Sequence, residues 1–244
     1  GPLEVTSKGN RYILTGIDYM SRWPVALPVP NINEITTCEF YMSSIVSLFG
    51  VPNYLLSDRG SNFISTYTKS FLRQLGCRSI STTSFRPQTN GLCERLNQTL
   101  CRTIAKLARD GNEVHEWDKY IDPALLALRT LVNSSTKYSP SQLLLGYQLM
   151  SPGLWQAPIL DFVEGEFEVD LARRVKFIEE QLVNIRKEAR EESDEAKLKQ
   201  ALRYNQRVQW VDPYVVGAQV LMKEHVVDGK FGDKWSGPYT VARV

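Results

Sequence analysis

Short apolar runs alternate with helix-like segments from about residue 11 to residue 150, and this alternation restricts the fold more than any other feature of the chain. Four runs have the length and composition of buried strands: residues 11–18, 23–29, 54–57 and 78–82. Five segments have helical spacing or helix boundary signals: residues 33–49, 65–75, 92–109, 124–131 and 141–145. Such alternation predicts a layered α/β domain.

Composition excludes several classes of protein. Hydrophobic residues make up 43% of the 244 residues, yet no apolar run approaches the roughly 18–20 residues that a membrane span needs. The first residues lack the basic start and apolar stretch of a signal peptide. The four cysteines contain no Cys-x-x-Cys pair, so we interpret them as reduced thiols of an intracellular protein: Cys38, Cys77, Cys93 and Cys101.

The net charge of +2 is distributed unevenly along the chain. Residues 1–150 carry 15 Lys and Arg against 11 Asp and Glu, residues 151–207 carry 10 against 12, and residues 208–244 carry 4 against 4. A basic excess in the first region permits a nucleic acid partner, although many other proteins share it.

The chain after residue 150 has a different character. Residues 151–168 are rich in Gly and Pro and are interpreted as a linker, and a long helix is predicted from residue 169 to about residue 204. Its apolar residues follow a heptad-like spacing: Leu171, Val175, Ile178, Leu182, Ile185 and Ala189. This seam fits either a helix packed on its own domain or a helical hairpin or self-association surface. Strands are predicted at residues 219–223 and 239–244 around a Gly-rich turn.

The first candidate functional residue is Asp58, at the end of the apolar strand 54–57. An acid in that place, before the turn residue Gly60, projects from the edge of a sheet, where α/β proteins bind their ligands. The alternative is an aspartate that only terminates the strand through a local turn.

Glu94 is the second candidate, near the start of the helix 92–109. On a helical wheel the apolar residues form a core face: Leu92, Leu96, Leu100, Ile104 and Leu107. Glu94 lies off that face with Gln98, beside a basic stripe of Arg95, Arg102, Lys106 and Arg109. Such a helix can present one carboxylate to a metal ion and a row of cations to phosphates. An ordinary solvated amphipathic helix is the alternative.

Metal chemistry gives a physical reason to assign Asp58 and Glu94 to one site. Phosphodiester transfer needs an activated oxygen nucleophile and a stabilised leaving oxygen, which two divalent ions about 3.5–4 Å apart can supply. Mg²⁺ prefers oxygen ligands, and clustered carboxylates repel one another unless a cation lies between them. The only histidines, His115 and His225, belong to no nucleophile–base pattern, and no Gly-rich phosphate loop is found.

These residues resemble a known family. Asp58 and Glu94 are separated by 35 residues, as in one half of the acidic triad of retroviral and retrotransposon integrases. Residues 57–63 (SDRGSNF) and 86–100 (RPQTNGLCERLNQTL) resemble the same integrases. Residues 31–52, which end in FGVP, and residues 139–146 (SPSQLLLG) resemble Ty3/gypsy-type retrotransposons, and residues 234–239 (KWSGPY) resemble the Gly-Pro-Tyr module of that group.

The resemblance implies an α/β fold with an RNase H-like core, a mixed five-stranded sheet and flanking helices. The core would occupy residues 1–150 with its first strand truncated, a linker with a long helix residues 151–207, and a partial SH3-like β-barrel residues 208–244. It implies metal-dependent 3′-end processing and strand transfer by in-line attack of a 3′-hydroxyl, with Mg²⁺ or Mn²⁺ and two ions in the complete site.

The same resemblance implies partners and location. Double-stranded DNA, both element ends and target, would be bound by a homo-multimer in the nucleus, after synthesis in the cytoplasm as part of a polyprotein. We expect neither a membrane nor a small-molecule substrate as partner. The catalytic and metal-binding candidates are Asp58 and Glu94, and the DNA-binding candidates are Arg59, Asn62, Asn90, Arg95, Asn97, Gln98, Arg102 and Lys106.

One departure concerns the first acid of the triad. In the family it lies on the strand before a Gly-Pro-Leu stretch, and here residues 1–3 are that stretch. We therefore expect the first catalytic Asp upstream of residue 1, with Asp18 as the alternative, and a fragment that is weakly active or inactive. Two rival functions are a domesticated, catalytically inactive DNA-binding relic and another RNase H-like nuclease or transposase.

Overall fold

The computed structural model describes residues 2–82, 91–150, 175–206, 215–223 and 235–242. The chain divides into two compact units, Gly1–Ala196 and Lys197–Val244. The first unit therefore includes the early part of the long helix together with the α/β region. The domain boundaries expected from the sequence, near residues 150 and 207, stay a prediction.

The first unit begins with an antiparallel hairpin. Strand β1 (Tyr12–Ile17) pairs with β2 (Pro24–Val29), with Tyr12 opposite Val29 and Ile17 opposite Pro24. Both predicted strands are confirmed. Within the described part of the chain β2 pairs with β1 alone, as its prolines require, because Pro28 has no N–H to donate to a second neighbour.

A second, parallel pair carries the first candidate residue. Strand β3 (Tyr54–Ser57) pairs with β4 (Arg78–Ser81), and Leu56 lies opposite Ile80. The described residues of this unit thus hold four strands in two separate ladders. These residues do not form the expected five-stranded sheet. The mixed α/β character of the unit is confirmed.

The helix expected over residues 33–49 is one continuous helical segment with a local irregularity. Helix α1 (Glu34–Tyr41) starts at Asn33, whose side chain accepts a hydrogen bond from the Thr36 N–H. A π-helical stretch (Met42–Val46) and a short α2 (Ser47–Phe49) follow. The segment ends at Gly50, whose φ of +82° is disfavoured for other residues.

The remaining helices of the α/β region match the expectations with small shifts. They are α3 (Ser61–Ile64), α4 (Thr66–Gln74), α5 (Gly91–Asp110), a 3₁₀ helix (Val114–Tyr120), α6 (Ile121–Thr130) and α7 (Pro140–Leu145). The sequence did not predict α3 or the 3₁₀ helix, and it placed the start of α6 three residues late. Pro123 is tolerated there because the first N–H groups of a helix have no intrahelical partner.

Strand β1 is the centre of the packing. Leu14 is buried in a cluster with Val25, Phe40 and Leu72, on the side of α1 and α4. Its neighbour Ile13 packs instead against the cluster formed by α5, the 3₁₀ helix and α6. Successive strand residues point to opposite faces, so β1 lies between two helical layers.

The long helix packs on its own unit over its first half. It continues from a π-helical stretch (Phe177–Gln181) into α8 (Leu182–Asn205). Leu182 and Ala189 are buried, whereas Val175 and Ile178 are exposed, and Leu171 lies outside the described residues. The guanidinium of Arg186 donates to the carbonyls of Leu143 and Leu144. These contacts favour the packed-helix alternative.

The second unit contains one antiparallel ladder among its described residues. Strand β5 (Gln219–Lys223) was predicted correctly and pairs with β6 (Trp235–Thr240). The prediction of a strand over residues 239–244 was wrong in both bounds, because the strand starts at Trp235 and ends at Thr240. Gly237, at φ +127°, and a register shift between Val220 and Met222 let the strand pass through Pro238. The turn at residues 228–232 and most of the expected barrel lie outside the described residues.

Two smaller expectations concern membranes and thiols. Of the helices that the structure describes, none is both long and apolar enough to cross a membrane. All four cysteines are free; Cys38 and Cys77 are buried, Cys93 is half-buried and Cys101 is exposed.

Candidate functional site

Asp58 follows the last residue of β3, at the carboxyl end of the parallel pair. Its side chain is exposed, and its Oδ1 accepts a 2.9 Å hydrogen bond from the Gly60 N–H. A Cβ at residue 60 would lie 2.9 Å from Asn62 Oδ1 and 3.1 Å from Asp58 Oδ1, so a larger residue there would displace these side chains. This turn holds the carboxylate at the sheet edge and leaves its second oxygen available.

Glu94 lies in the first turn of α5 and is exposed. The helix buries the opposite side through Leu96, Leu100, Ile104 and Ala108, as the wheel predicted; Leu92 and Leu107 are half-buried. A carboxylate in the first turn is favoured by the helix dipole. Packing of the apolar face therefore fixes the side of the helix from which Glu94 projects.

Cys93 is the sequence neighbour of Glu94, and the charge of Asp58 also acts on its thiol. Burial raises the pKa of Cys93, a hydrogen bond between Cys93 and Thr15 opposes the shift, and the charges of Asp58 and Glu94 raise the pKa further. The charge of Asp58 therefore reaches the first turn of α5, although 35 residues separate Asp58 from Glu94 in sequence.

No protein cation neutralises this pair within the described residues. The ion pairs found there join Glu4 with His115 and Lys119 with Glu113 and Glu116, and none includes Asp58 or Glu94.

The donor set fits a hard divalent ion in part. Mg²⁺ can be held by one or two carboxylates while it keeps several waters. The Cys93 thiol, with its raised pKa, stays protonated near neutral pH and is a poor ligand. Among the residues that the structure describes, no three His, Cys, Asp or Glu side chains form a metal-binding group. Asp58 and Glu94 are nevertheless oxygen donors of the kind that Mg²⁺ prefers.

Asp18, the alternative first acid, is engaged in the β1–β2 turn. Its Oδ2 accepts hydrogen bonds from the backbone N–H of Ser21 at 2.7 Å and from the Ser21 hydroxyl at 2.6 Å. The Asp18 charge also acts on the buried guanidinium of Arg22, whose pKa is lowered chiefly by burial. This arrangement favours a structural role for Asp18.

The DNA-binding candidates fall into two groups. Four of them, Arg95, Gln98, Arg102 and Lys106, are exposed along α5. Three others make contacts within the fold: Arg59 Nε donates to the Thr82 carbonyl at 3.0 Å, the Asn62 side chain is buried and donates to Thr37 at 2.9 Å, and Asn97 Oδ1 accepts from Thr15 at 2.6 Å. Asn90 lies outside the described residues.

Sequence reasoning missed two residues near the site. Thr15 on β1 contacts both Cys93 and Asn97, and the available signal was a hydroxyl in the middle of an apolar strand. Arg22 is buried with a φ of +64° and donates to Ser193 of α8 at 2.6 Å. Nothing in the sequence around Arg22 predicted its contact with Ser193.

Comparison with known proteins shows what the first part of the chain is similar to. Residues 2–87 match the family model described as "Integrase core domain". This part of the chain is therefore similar to integrase core domains. The matched residues include Asp58 and end before Glu94.

Relatives extend the likeness along the chain. The Gag-Pol polyprotein of Koala retrovirus is 30% identical over 239 residues, which are 96% of this chain and 13% of that protein. The Pol polyprotein from transposon 412 of Drosophila melanogaster is 24% identical over 245 residues, covering 100% of this chain and 19% of that protein. The chain thus spans a small part of the retroelement polyproteins that it resembles.

A solved structure supports the fold. The simian T-cell lymphotropic virus intasome, in complex with the PP2A regulatory subunit B56 gamma, contains a chain similar to this one at a TM-score of 0.52 and 18% identity. The match covers 68% of this chain and 56% of that chain. At this identity the likeness concerns the fold alone.

Proposed function

We propose that the chain is the catalytic part of a retroelement integrase, which joins element DNA ends to target DNA with the help of Mg²⁺ or Mn²⁺. One observation carries the proposal: Asp58 follows the end of β3, Glu94 lies in the first turn of α5, and both are exposed, as are the basic residues along α5. The 35-residue spacing and the integrase core match support the same assignment.

Each group has a defined part in the proposed reaction. Bound divalent ions would activate the attacking 3′-hydroxyl and stabilise the leaving oxygen. Asp58 and Glu94 hold the metal, and the Gly60 turn fixes the direction of Asp58. Arg95, Arg102 and Lys106 hold the phosphates of the DNA backbone, and Gln98 lies beside them. Cations on an exposed helix face position DNA without reading its sequence.

We further propose that the β1–β2 and β3–β4 ladders belong to one mixed five-stranded sheet. A third acid would complete a site for two ions with Asp58 and Glu94.

The finer family assignment and the second unit belong to the same proposal. The motifs favour a Ty3/gypsy-type element, although viral Gag-Pol polyproteins and a transposon are similar to the chain. The β5–β6 ladder would be part of an SH3-like DNA-binding barrel. We propose synthesis within a polyprotein, action as a homo-multimer and use on chromosomal DNA in the nucleus.

Strand transfer from a labelled donor oligonucleotide into plasmid DNA tests the proposal. We expect weak Mg²⁺- or Mn²⁺-dependent joining that disappears in Asp58→Asn and in Glu94→Gln. Metal-dependent DNA binding by the wild-type chain that neither variant changes would contradict the proposed site and favour a DNA-binding relic. Full activity that Asp18→Asn abolishes would instead assign the first acid to Asp18.

A further inference from the structure

Thr15 joins the middle of β1 to the first two turns of α5. Its Oγ1 donates to Asn97 Oδ1 at 2.6 Å and lies 3.6 Å from the Cys93 sulfur. Cys93 and Asn97 are four residues apart and therefore lie on one face of the helix. A single hydroxyl thus contacts two successive turns of α5, on either side of Glu94 in sequence.

The contacted face flanks Glu94 around the helix axis. With 3.6 residues per turn, Cys93 and Asn97 both lie on the same side of Glu94, at about 100° and 60° from it. The buried Leu96 and Leu100 hold the far side of the helix in the core. The Thr15 contact is therefore placed to fix the rotation of the first turns about the helix axis.

A small rotation would matter at the carboxylate. Side-chain ends lie about 5–6 Å from the axis of an α-helix, so a turn of about 10° moves them by about 1 Å. Mg²⁺ demands a nearly ideal octahedral arrangement of oxygens. The apolar face restrains the helix only from the side opposite Glu94. A contact closer to Glu94 is therefore needed to fix the direction of its carboxylate.

We propose that Thr15 is a positioning residue, whose bond to Asn97 and contact with Cys93 set the direction of the Glu94 carboxylate. The inference rests on the proposed function, because it takes Glu94 as a metal ligand. Thr15 itself touches neither the metal nor the DNA in this role.

Amide hydrogen exchange of the full chain, followed by NMR, tests the restraint without metal. Thr15→Val keeps the shape of the side chain and removes the donor, whereas Thr15→Ser keeps the donor. In Thr15→Val we expect exchange at Asn97 and Gln98 to become about threefold to tenfold faster, and exchange at Ile104 and Ala108 to stay unchanged. Thr15→Ser should restore wild-type exchange to within about twofold.

Paramagnetic broadening by Mn²⁺ then tests the consequence for Glu94. In the wild-type chain the signals of Asp58 and Glu94 should broaden over the same range of Mn²⁺ concentration. In Thr15→Val the broadening at both residues should require about threefold to tenfold more Mn²⁺, because the two carboxylates share the ion.

Thr103→Val is the matched control, because the Thr103 hydroxyl on the same helix bonds only to the Thr99 carbonyl at 2.9 Å among the described residues. Unchanged exchange at Asn97 and Gln98 in Thr15→Val, or equal effects of Thr15→Val and Thr103→Val, would overturn the inference. If Glu94→Gln leaves the Mn²⁺ response unaltered, the proposed function fails, and the exchange experiment still decides whether Thr15 holds the helix.

Discussion

Asp18 and Asp58 occupy the same kind of place, directly after an apolar strand, and the structure gives them different surroundings. Asp18 Oδ2 accepts two hydrogen bonds from Ser21, and the buried Arg22 lies within reach of its charge. Asp58 accepts one bond from Gly60, and the charge that shares its surroundings is a second carboxylate, Glu94. Among the residues that the structure describes, Asp18 thus accepts more hydrogen bonds than Asp58, whose proposed partner is an added cation.

The largest expected effect separates the two aspartates by metal binding. Asp58→Asn and Glu94→Gln should each weaken Mn²⁺ binding by about 100-fold, because each removes a ligand and half of the negative charge. Asp18→Asn should change it by less than about twofold. Titration of Mn²⁺, followed by the EPR signal of the free ion, measures the affinity of the three variants. Equal losses of affinity in all three would show that Asp18 and Asp58 do not differ in metal binding.

A second prediction concerns the compensation of Asp18. Arg22→Met should lower the free energy of unfolding by about 2 kcal/mol, because it removes the guanidinium bonds to the Tyr19 carbonyl and to Ser193. Urea unfolding followed by tryptophan fluorescence measures the change. Lys119→Met, at a half-exposed cation, is the control and should cost less than about 0.5 kcal/mol.

The third prediction uses a double variant to test the interaction between Asp18 and Arg22. Asp18→Asn alone should cost about 1 kcal/mol, because its Oδ2 then accepts from Ser21 without a negative charge. In the Arg22→Met background the cost should differ by about 0.5 kcal/mol or more, since the two residues interact. Strict additivity in the double variant would show that Arg22 does not compensate Asp18.

The smallest expected effect concerns the exposed basic face of α5. Arg102→Gln and Lys106→Gln should each reduce the slope of log affinity for double-stranded DNA against log salt concentration by about one. Fluorescence anisotropy at several salt concentrations measures the slope. Lys119→Gln, on the 3₁₀ helix, serves as the control and should leave the slope unchanged. A uniform effect of all three would mean that α5 is not the DNA-binding face.

Local patterns predicted the elements of the α/β region because their signals are short-range. The apolar run before Asp58, the cap residue Asn33, the stop at Gly50 and the Ser139–Pro140 helix start all lie within a few residues of the structure that they specify. The wheel of α5 likewise identified the face that is buried. Strand β6 was placed too late because the backbone freedom of Gly237 outweighed the usual effect of Pro238.

The sequence by itself determined the two acids, their 35-residue spacing and the amphipathic helix that carries one of them, because residue order and helical period fix these features. Only the tertiary structure decided that Asp18 is held by Ser21, that Cys93 lies within reach of both carboxylates, and that Thr15 contacts Cys93 and Asn97. Contacts between residues tens of positions apart depend on how strands and helices pack. Local sequence does not encode that packing.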